Sequence, residues 1–278
     1  MSQDRPPLPP DVKLALRQEA VFGCCRCGFP VYDHHHITPY EVEHHFRTED
    51  MMILCPNCHR MATDGVLSES EQRFMKQNPF NSQQGYASGL LAINQTDLVV
   101  TGGGIDFVGG RSILSVNGQS LLALGRNANG TLSLSATLYD DCDRLLAEIV
   151  DNEWVASDSL IWDLESRFKR IKIRQGDRRI ALDVDARDYP VRVKADLWRY
   201  GYHINLNQLG IKLRGPITKN VTLKNLCLVN LAINVDTTTN GLSLQPTSSM
   251  GKGVIISEAD HEKRIRDGVS AYHQTDAI

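Results

Sequence analysis

The residues able to do chemistry crowd into one stretch, Cys24 to Gly65, which reads CCRCGFPVYDHHHITPYEVEHHFRTEDMMILCPNCHRMATDG. Two Cys-x-x-Cys pairs, Cys24/Cys27 and Cys55/Cys58, bracket three consecutive histidines, His34, His35 and His36. His59 follows the last cysteine directly, and His44 and His45 form a second pair. Two thiolate pairs at this spacing clamp one tetrahedral Zn2+, and four cysteines complete its coordination. Cys25 is a poor rival for Cys24, because Cys25-Arg26-Cys27 has the wrong spacing for a knuckle. The expected zinc is structural, since a segment this small needs such a staple to fold. The clamp uses the cysteines and leaves the histidines for other chemistry.

Short elements must hold these groups. Pro10 and Asp11 open a helix, DVKLALRQEAVFG, with Val12, Leu14, Leu16 and Ala20 near one face and Gly23 as its stop. Cys24–Gly28 forms a turn whose glycine tolerates positive φ. Val31 to Ile53 reads as two short strands joined by a polar loop. Pro56 starts a helix carrying Cys58 and His59. Ser68 and Glu71 form a capping box for a further helix that ends before Pro79. Residues 80–95, rich in Asn, Gln, Ser and Gly, read as a linker or an irregular crossing over the domain boundary.

Beyond Thr96 short alternating segments are split by turn residues, with hairpin signals at Asn117-Gly118 and Gln175-Gly176-Asp177. This region reads as all-β: a sandwich, a barrel or a short solenoid. NVTLKNLCLVNLAINVDT has an asparagine-punctuated rhythm suited to a solenoid rung. SEADHEKRIRDG reads as a short polar helix capped by Ser257, followed by a tail. Trp154, Trp162 and Trp198 are expected in the core, and the Gly102-Gly103-Gly104 run in a turn.

The 278 residues allow one or two domains with a substantial core. A net charge of −3 excludes a global basic field, so any nucleic-acid contact rests on a local patch or a metal. No apolar run is long enough to span a bilayer, and the polar, proline-rich start lacks the core of a signal peptide. Reduced thiols holding zinc point to a cytoplasmic protein.

The stretch resembles the HNH endonuclease family, with its ββα-metal core. The resemblance rests on His35-His36-Ile37, on Met52-Ile53-Leu54-Cys55-Pro56-Asn57-Cys58-His59, and on the knuckles that bracket both. It covers roughly residues 20–65. It implies that His36 is the general base that takes a proton from the attacking water, a task suited to imidazole's near-neutral pKa. It implies that His35 and His59 hold a catalytic divalent metal, Mg2+ or Mn2+. Asp50 stands where the family has its middle asparagine, which ties the loop to the strand. Thr63 stands where many members have a third histidine ligand. A one-residue slip would hand the roles to His34 and His35. His44 and His45 read either as solvated loop residues or, for His45, as a metal or phosphate contact.

Arg60 and Arg47 are candidate phosphate anchors. In the β-region, alternation puts Arg170, Lys172 and Arg174 on one face and Ile171 and Ile173 inside. The basic face would track a DNA backbone, or else is a solvated sheet face.

The expected fold is α+β: a small zinc-stapled HNH domain over residues 1–88, an all-β domain over 89–250 and a polar tail with a short helix over 251–278. The expected function is metal-dependent endonuclease action on DNA, in bacterial defence or a mobile element. The β-domain would serve substrate binding, sensing or assembly, with a protein partner or a second copy, and no membrane. The alternative is an inactive zinc-stapled module that binds nucleic acid or protein; Asp50 and Thr63 keep it open.

Overall fold

Pro10 occupies the first turn of the first helix, α1 (Pro10–Glu19), where its fixed φ and missing N–H do no harm. The computed structural model describes residues 6–207, 209–216, 221–239, 241–247 and 253–276. The chain is α+β and divides into two compact units. One contains the chain up to Gly89 together with Val155–Arg167; the other contains Leu90–Trp154 and the chain from Phe168 onward.

In the first unit α1 stops at Glu19, short of Gly23, because Val21 and Phe22 turn to positive φ. Strand β1 (Asp33–His36) pairs antiparallel with β2 (Met51–Leu54), with His35 opposite Met52 and His36 opposite Met51. Every residue of β2 is buried. Helix α2 (Pro56–Thr63) follows at once, with Cys55 in the capping position. Helix α3 (Glu69–Gln77) carries the expected capping box, the Ser68 side chain accepting from the Glu71 N–H while the Glu71 carboxylate accepts from Ser68. The core joins Leu16 and Ala20 of α1 to Met51–Leu54, Ala62 and Leu67.

Residues 80–95 cross from the first unit to the second at Gly89/Leu90, but they are more regular than a linker. Phe80–Gln84 is a short helix, α4, and Tyr86–Leu90 a strand. The polar composition misled because Asn81 is buried and donates to the Val21 carbonyl at 2.9 Å. The segment Val155–Arg167 joins this unit through Asp163, which receives two parallel bonds from Arg17, at 2.7 and 2.9 Å.

The second unit is built from two sheets. One runs, in hydrogen-bonded order, Gly241–Pro246, Leu231–Asp236, Ser112–Val116, Gln119–Arg126, Leu132–Tyr139 and Leu145–Val150. The other contains the order Arg170–Gly176, Arg179–Asp185, Val191–Arg199, Val99–Gly102, Ile105–Val108, Leu226–Val229 and Val254–Ser257. Asn117-Gly118 makes its turn with both residues at positive φ, as the twist of a two-residue hairpin requires.

The asparagine rhythm has a physical cause. Leu226–Val229 runs parallel to Ile105–Val108 in one sheet, and Leu231–Asp236 runs parallel to Ser112–Val116 in the other. Asn230, at φ +52°, is the single residue between the two later strands. Asn tolerates this left-handed corner better than most side chains. Two parallel rungs therefore change sheet at matching corners.

The tail is not a short helix capped by Ser257. Ser257 lies in a strand, and the final helix, α5 (His261–Asp276), begins after Asp260, whose carboxylate accepts from the Lys263 N–H at 2.7 Å. Ile265 of α5 is buried against Val99, Val108, Cys227 and Val229. Trp154 is buried, whereas Trp162 and Trp198 are only half-buried.

Candidate metal centre and its histidines

Two backbone turns aim the cysteines at one point. Gly28 at φ +74° lets its N–H reach the Cys24 carbonyl at 2.8 Å, and a Cβ there would strike Asn81 at 2.3 Å. The second pair spans the start of α2, where the His59 N–H reaches the Cys55 carbonyl at 2.8 Å. The four Sγ atoms of Cys24, Cys27, Cys55 and Cys58 lie within 4.8 Å of one another. Cys27 and Cys55 are 3.7 Å apart, and Cys27 and Cys58 3.9 Å.

Zinc–sulfur bonds of about 2.3 Å in a tetrahedron imply sulfur–sulfur edges of about 3.8 Å. The donor set therefore fits Zn2+ in both chemistry and size. Burial pushes the Cys24 thiol well above its ordinary pKa and the Cys58 thiol up to about 11. A bound cation reverses that preference by stabilising the thiolates. Cys25 stays outside the cluster. Its N–H goes to the Ile53 carbonyl and its carbonyl accepts from the Phe80 N–H, which ties the turn after α1 to β2 and to the start of α4.

Strand alternation separates the three histidines. The His35 ring meets the His59 ring edge-on, with centroids 4.9 Å apart. His35 Nε2 is 2.9 Å from Gln72 Oε1 of α3. Burial holds the His35 pKa below its ordinary value, which favours the neutral ring that ligates a metal. No third histidine, cysteine or carboxylate completes a metal cluster with this pair among the described residues. Thr63 sits one turn beyond His59, but its hydroxyl donates back to the His59 carbonyl at 3.0 Å.

His36 turns into the loop, against Tyr40, His45 and Phe46. Its Nε2 lies 3.1 Å from the His45 carbonyl. Because a carbonyl only accepts, this nitrogen carries the proton, and in the neutral ring the basic lone pair belongs to Nδ1. His34, two residues back along the strand and so on the same face as His36, lies near Tyr32, with ring centroids 6.1 Å apart. Its pKa is pushed down to about 4 by burial, reinforced by the charges of Lys13, Arg17 and Arg167.

Of the loop histidines, His44 is solvated, as one reading expected, and His45 is not. His45 is buried, with Nε2 donating to the Thr38 carbonyl and Nδ1 accepting from the Arg47 N–H, both at 3.2 Å. It shapes the loop. Exposed His44 stacks on Tyr40 at 4.9 Å.

Asp50 ties the loop to the strand through its backbone: its carbonyl accepts from the Ile37 N–H at 2.8 Å. Its carboxylate takes bonds from Arg47, at 2.8 and 3.0 Å, and from Arg73, at 3.0 Å. The Arg47 bonds hold the Asp50 carboxyl below the usual carboxylate range. Asp50 thus braces the site from outside.

Of the predicted phosphate contacts, Arg47 is also gripped by Glu43 through two bonds of 2.7 Å, and exposed Arg60 pairs with Asp64 at 2.7 Å. In the second unit Ile171 and Ile173 are fully buried, as alternation requires. Arg170 and Lys172 are not a bare basic stripe. The antiparallel register sets Asp185 opposite Arg170 and Asp183 opposite Lys172, and Arg170 makes a two-pronged pair with Asp183 at 2.8 and 2.9 Å. Arg174 lies opposite Ile180, beside an irregularity in the register.

Sequence reasoning missed Gln72 and Arg73. The capping box placed them on a helix, but no spacing rule marks a glutamine that will face a histidine 37 positions away.

No helix is long and apolar enough to cross a membrane among the described residues. No curated protein and no solved structure matches the chain. Residues 24–65 match the family model described as HNH endonuclease, which supports a nuclease-type function with a nucleic-acid substrate for this part of the chain.

Proposed function

We propose that the chain is a metal-dependent endonuclease that hydrolyses phosphodiester bonds in DNA. The observation that carries this reading is the pairing of His35 with His59 beside a His36 whose proton is placed on Nε2. His36 Nδ1 takes the proton of the attacking water as the new P–O bond forms and the bond to the 3′-oxygen breaks. The His45 carbonyl holds the ring and stabilises its charged form once the proton has arrived. His35 and His59 hold Mg2+ or Mn2+, which when bound supplies Lewis-acid stabilisation of charge on the phosphate oxygens. Two protein ligands leave room for water and phosphate, which suits an exchangeable hard cation. Asp50, through Arg47 and Arg73, keeps the loop that carries His45 in place. Arg60, in the last turn of α2 and exposed, contacts the phosphate backbone.

The Cys24, Cys27, Cys55 and Cys58 zinc is structural in this reading. The β-unit binds substrate, senses a ligand or assembles with a partner protein or a second copy, in bacterial defence or a mobile element within the cytoplasm. Arg170, Lys172 and Arg174 contribute to a nucleic-acid face there only where phosphate competes with the carboxylates of Asp183 and Asp185.

Cleavage of supercoiled plasmid in Mg2+ or Mn2+ tests the reading. Loss of a general base lowers turnover by about 10²–10⁴-fold, so His36→Ala should fall by that much. Wild-type protein that binds DNA but cleaves neither DNA nor RNA with either metal leaves the inactive binding module, which Thr63 in place of a third ligand favours. Equal cleavage by His36→Ala sinks the base assignment alone.

A further inference from the structure

Gln72 is buried, at 6% exposure, although nothing in the sequence asks for a polar side chain there. Its amide makes two bonds, and together they leave it one orientation. The amide nitrogen lies 2.9 Å from the Leu67 carbonyl oxygen, and the amide oxygen lies 2.9 Å from His35 Nε2. Turning the amide over would set its oxygen against the Leu67 carbonyl, two acceptors face to face with no proton between them. The amide oxygen therefore faces His35, and His35 must donate from Nε2. A neutral imidazole with its proton on Nε2 carries its lone pair on Nδ1.

The anchor of this relay is itself fixed. Leu67 is buried, and its N–H reaches the Met61 carbonyl at the end of α2 at 3.3 Å. The next residue, Ser68, opens the capping box of α3, and the Gln72 N–H bonds the Ser68 carbonyl at 3.0 Å. The capping box thus sets where Gln72 stands, Leu67 sets how its amide lies, and the amide sets which nitrogen of His35 bears the proton. An outer partner of this kind both orients a ligating ring and raises its basicity.

We propose that Gln72 is a positioning residue that locks His35 in the Nε2–H form, so that Nδ1 is the atom His35 offers, with His59, to a divalent metal. The inference rests on the reading of His35 and His59 as ligands, and it adds which atom binds and what holds it.

The test begins with protein labelled with 15N at histidine and loaded with zinc at the cysteines only. A long-range 1H–15N spectrum at pH 7 reads the tautomer directly, and His35 should show a protonated Nε2 and a bare Nδ1. Gln72→Met keeps the length of the side chain and removes the acceptor. It should mix the tautomers and weaken Mn2+ binding by about 10–100-fold in calorimetry, with zinc content unchanged. Gln72→Glu loses the donor to the Leu67 carbonyl and should melt lower, but it still accepts from Nε2–H and should keep the tautomer and most of the Mn2+ affinity. A purely structural role would lower the melting temperature in both variants without separating them in Mn2+ affinity. His35 protonated at Nδ1 in the wild type overturns the proposal with no variant needed. Mn2+ affinity lost in His59→Ala but kept in Gln72→Met overturns the role of Gln72 alone. Equal affinity in His59→Ala and wild type overturns the ligand reading beneath it.

Discussion

Replacing Asp163 by asparagine should unfold the first unit preferentially. Arg17 and Asp163 are 146 residues apart in sequence and joined by two parallel bonds, at 2.7 and 2.9 Å. Their side chains are 11% and 2% exposed, so both charges have left water. Removing one partner of such a pair leaves the other buried without its counter-charge, which costs about 3–5 kcal/mol. The unit contains about 100 residues, a size at which 1 kcal/mol moves the midpoint by ~4–8 °C. The transition of the first unit should then fall by at least ~12 °C. Hydrogen–deuterium exchange resolved by mass spectrometry is the suitable assay. Peptides covering Pro10–Glu19 and Asp163–Arg167 should lose protection, while those covering Leu132–Tyr139 keep it. A double change, Arg17→Met with Asp163→Leu, removes both charges and should recover most of the loss, since well-packed apolar replacements of buried ion pairs are often neutral or stabilising. A midpoint within about 3 °C of wild type for Asp163→Asn, or no recovery in the double variant, would refute the argument from desolvation.

Metal analysis of purified protein should find about one zinc per chain, and Cys55→Ser should lose most of it and leave residues 24–65 open to exchange. Full zinc retention in Cys55→Ser would remove that cysteine from the site. Arg187 bonds hold the Asp185 carboxyl down at about 2. The unfolded value is about 3.9, so the pair stabilises fully above about pH 4 and its contribution disappears as pH falls through about 2. Asp185→Asn should therefore lower the urea midpoint at pH 7 by an amount equivalent to about 1 kcal/mol or less, because Arg187 is half exposed and solvent screens the pair. The difference from wild type should shrink on acidification, and a constant difference down to pH 2.5 would contradict the linkage.

Spacing made the four cysteines legible before any coordinates, because a tetrahedral ion demands two close pairs of soft donors and little else. The Ser68–Glu71 box and the Asn117-Gly118 turn were equally local: each depends on bonds or φ angles within a few residues. The hairpin carrying His34, His35 and His36 belonged to the same class, since a period of two separates adjacent side chains whatever packs on them. Polar composition marked the crossing at residues 80–95 but not its helix and strand, because composition cannot say that Asn81 will find the Val21 carbonyl. The basic alternation of Arg170 and Lys172 was correct as periodicity and misleading as charge, because the aspartates that compensate it lie on the next strand.

The sequence by itself therefore determined the chemistry available: soft donors for a structural ion, imidazoles for a second site, and strands with turns to follow them. Only the tertiary structure decided how each group is used. It put His35 against His59 and Gln72, His36 under the His45 carbonyl, His34 among cations, and Asp50 between two arginines. It also drew Asp163 across 146 positions to Arg17. The reason is physical. Donor type, turn propensity and strand period are properties of a few neighbouring residues. The proton's place on an imidazole and the fate of a carboxylate depend on which distant groups the fold brings within about 3 Å.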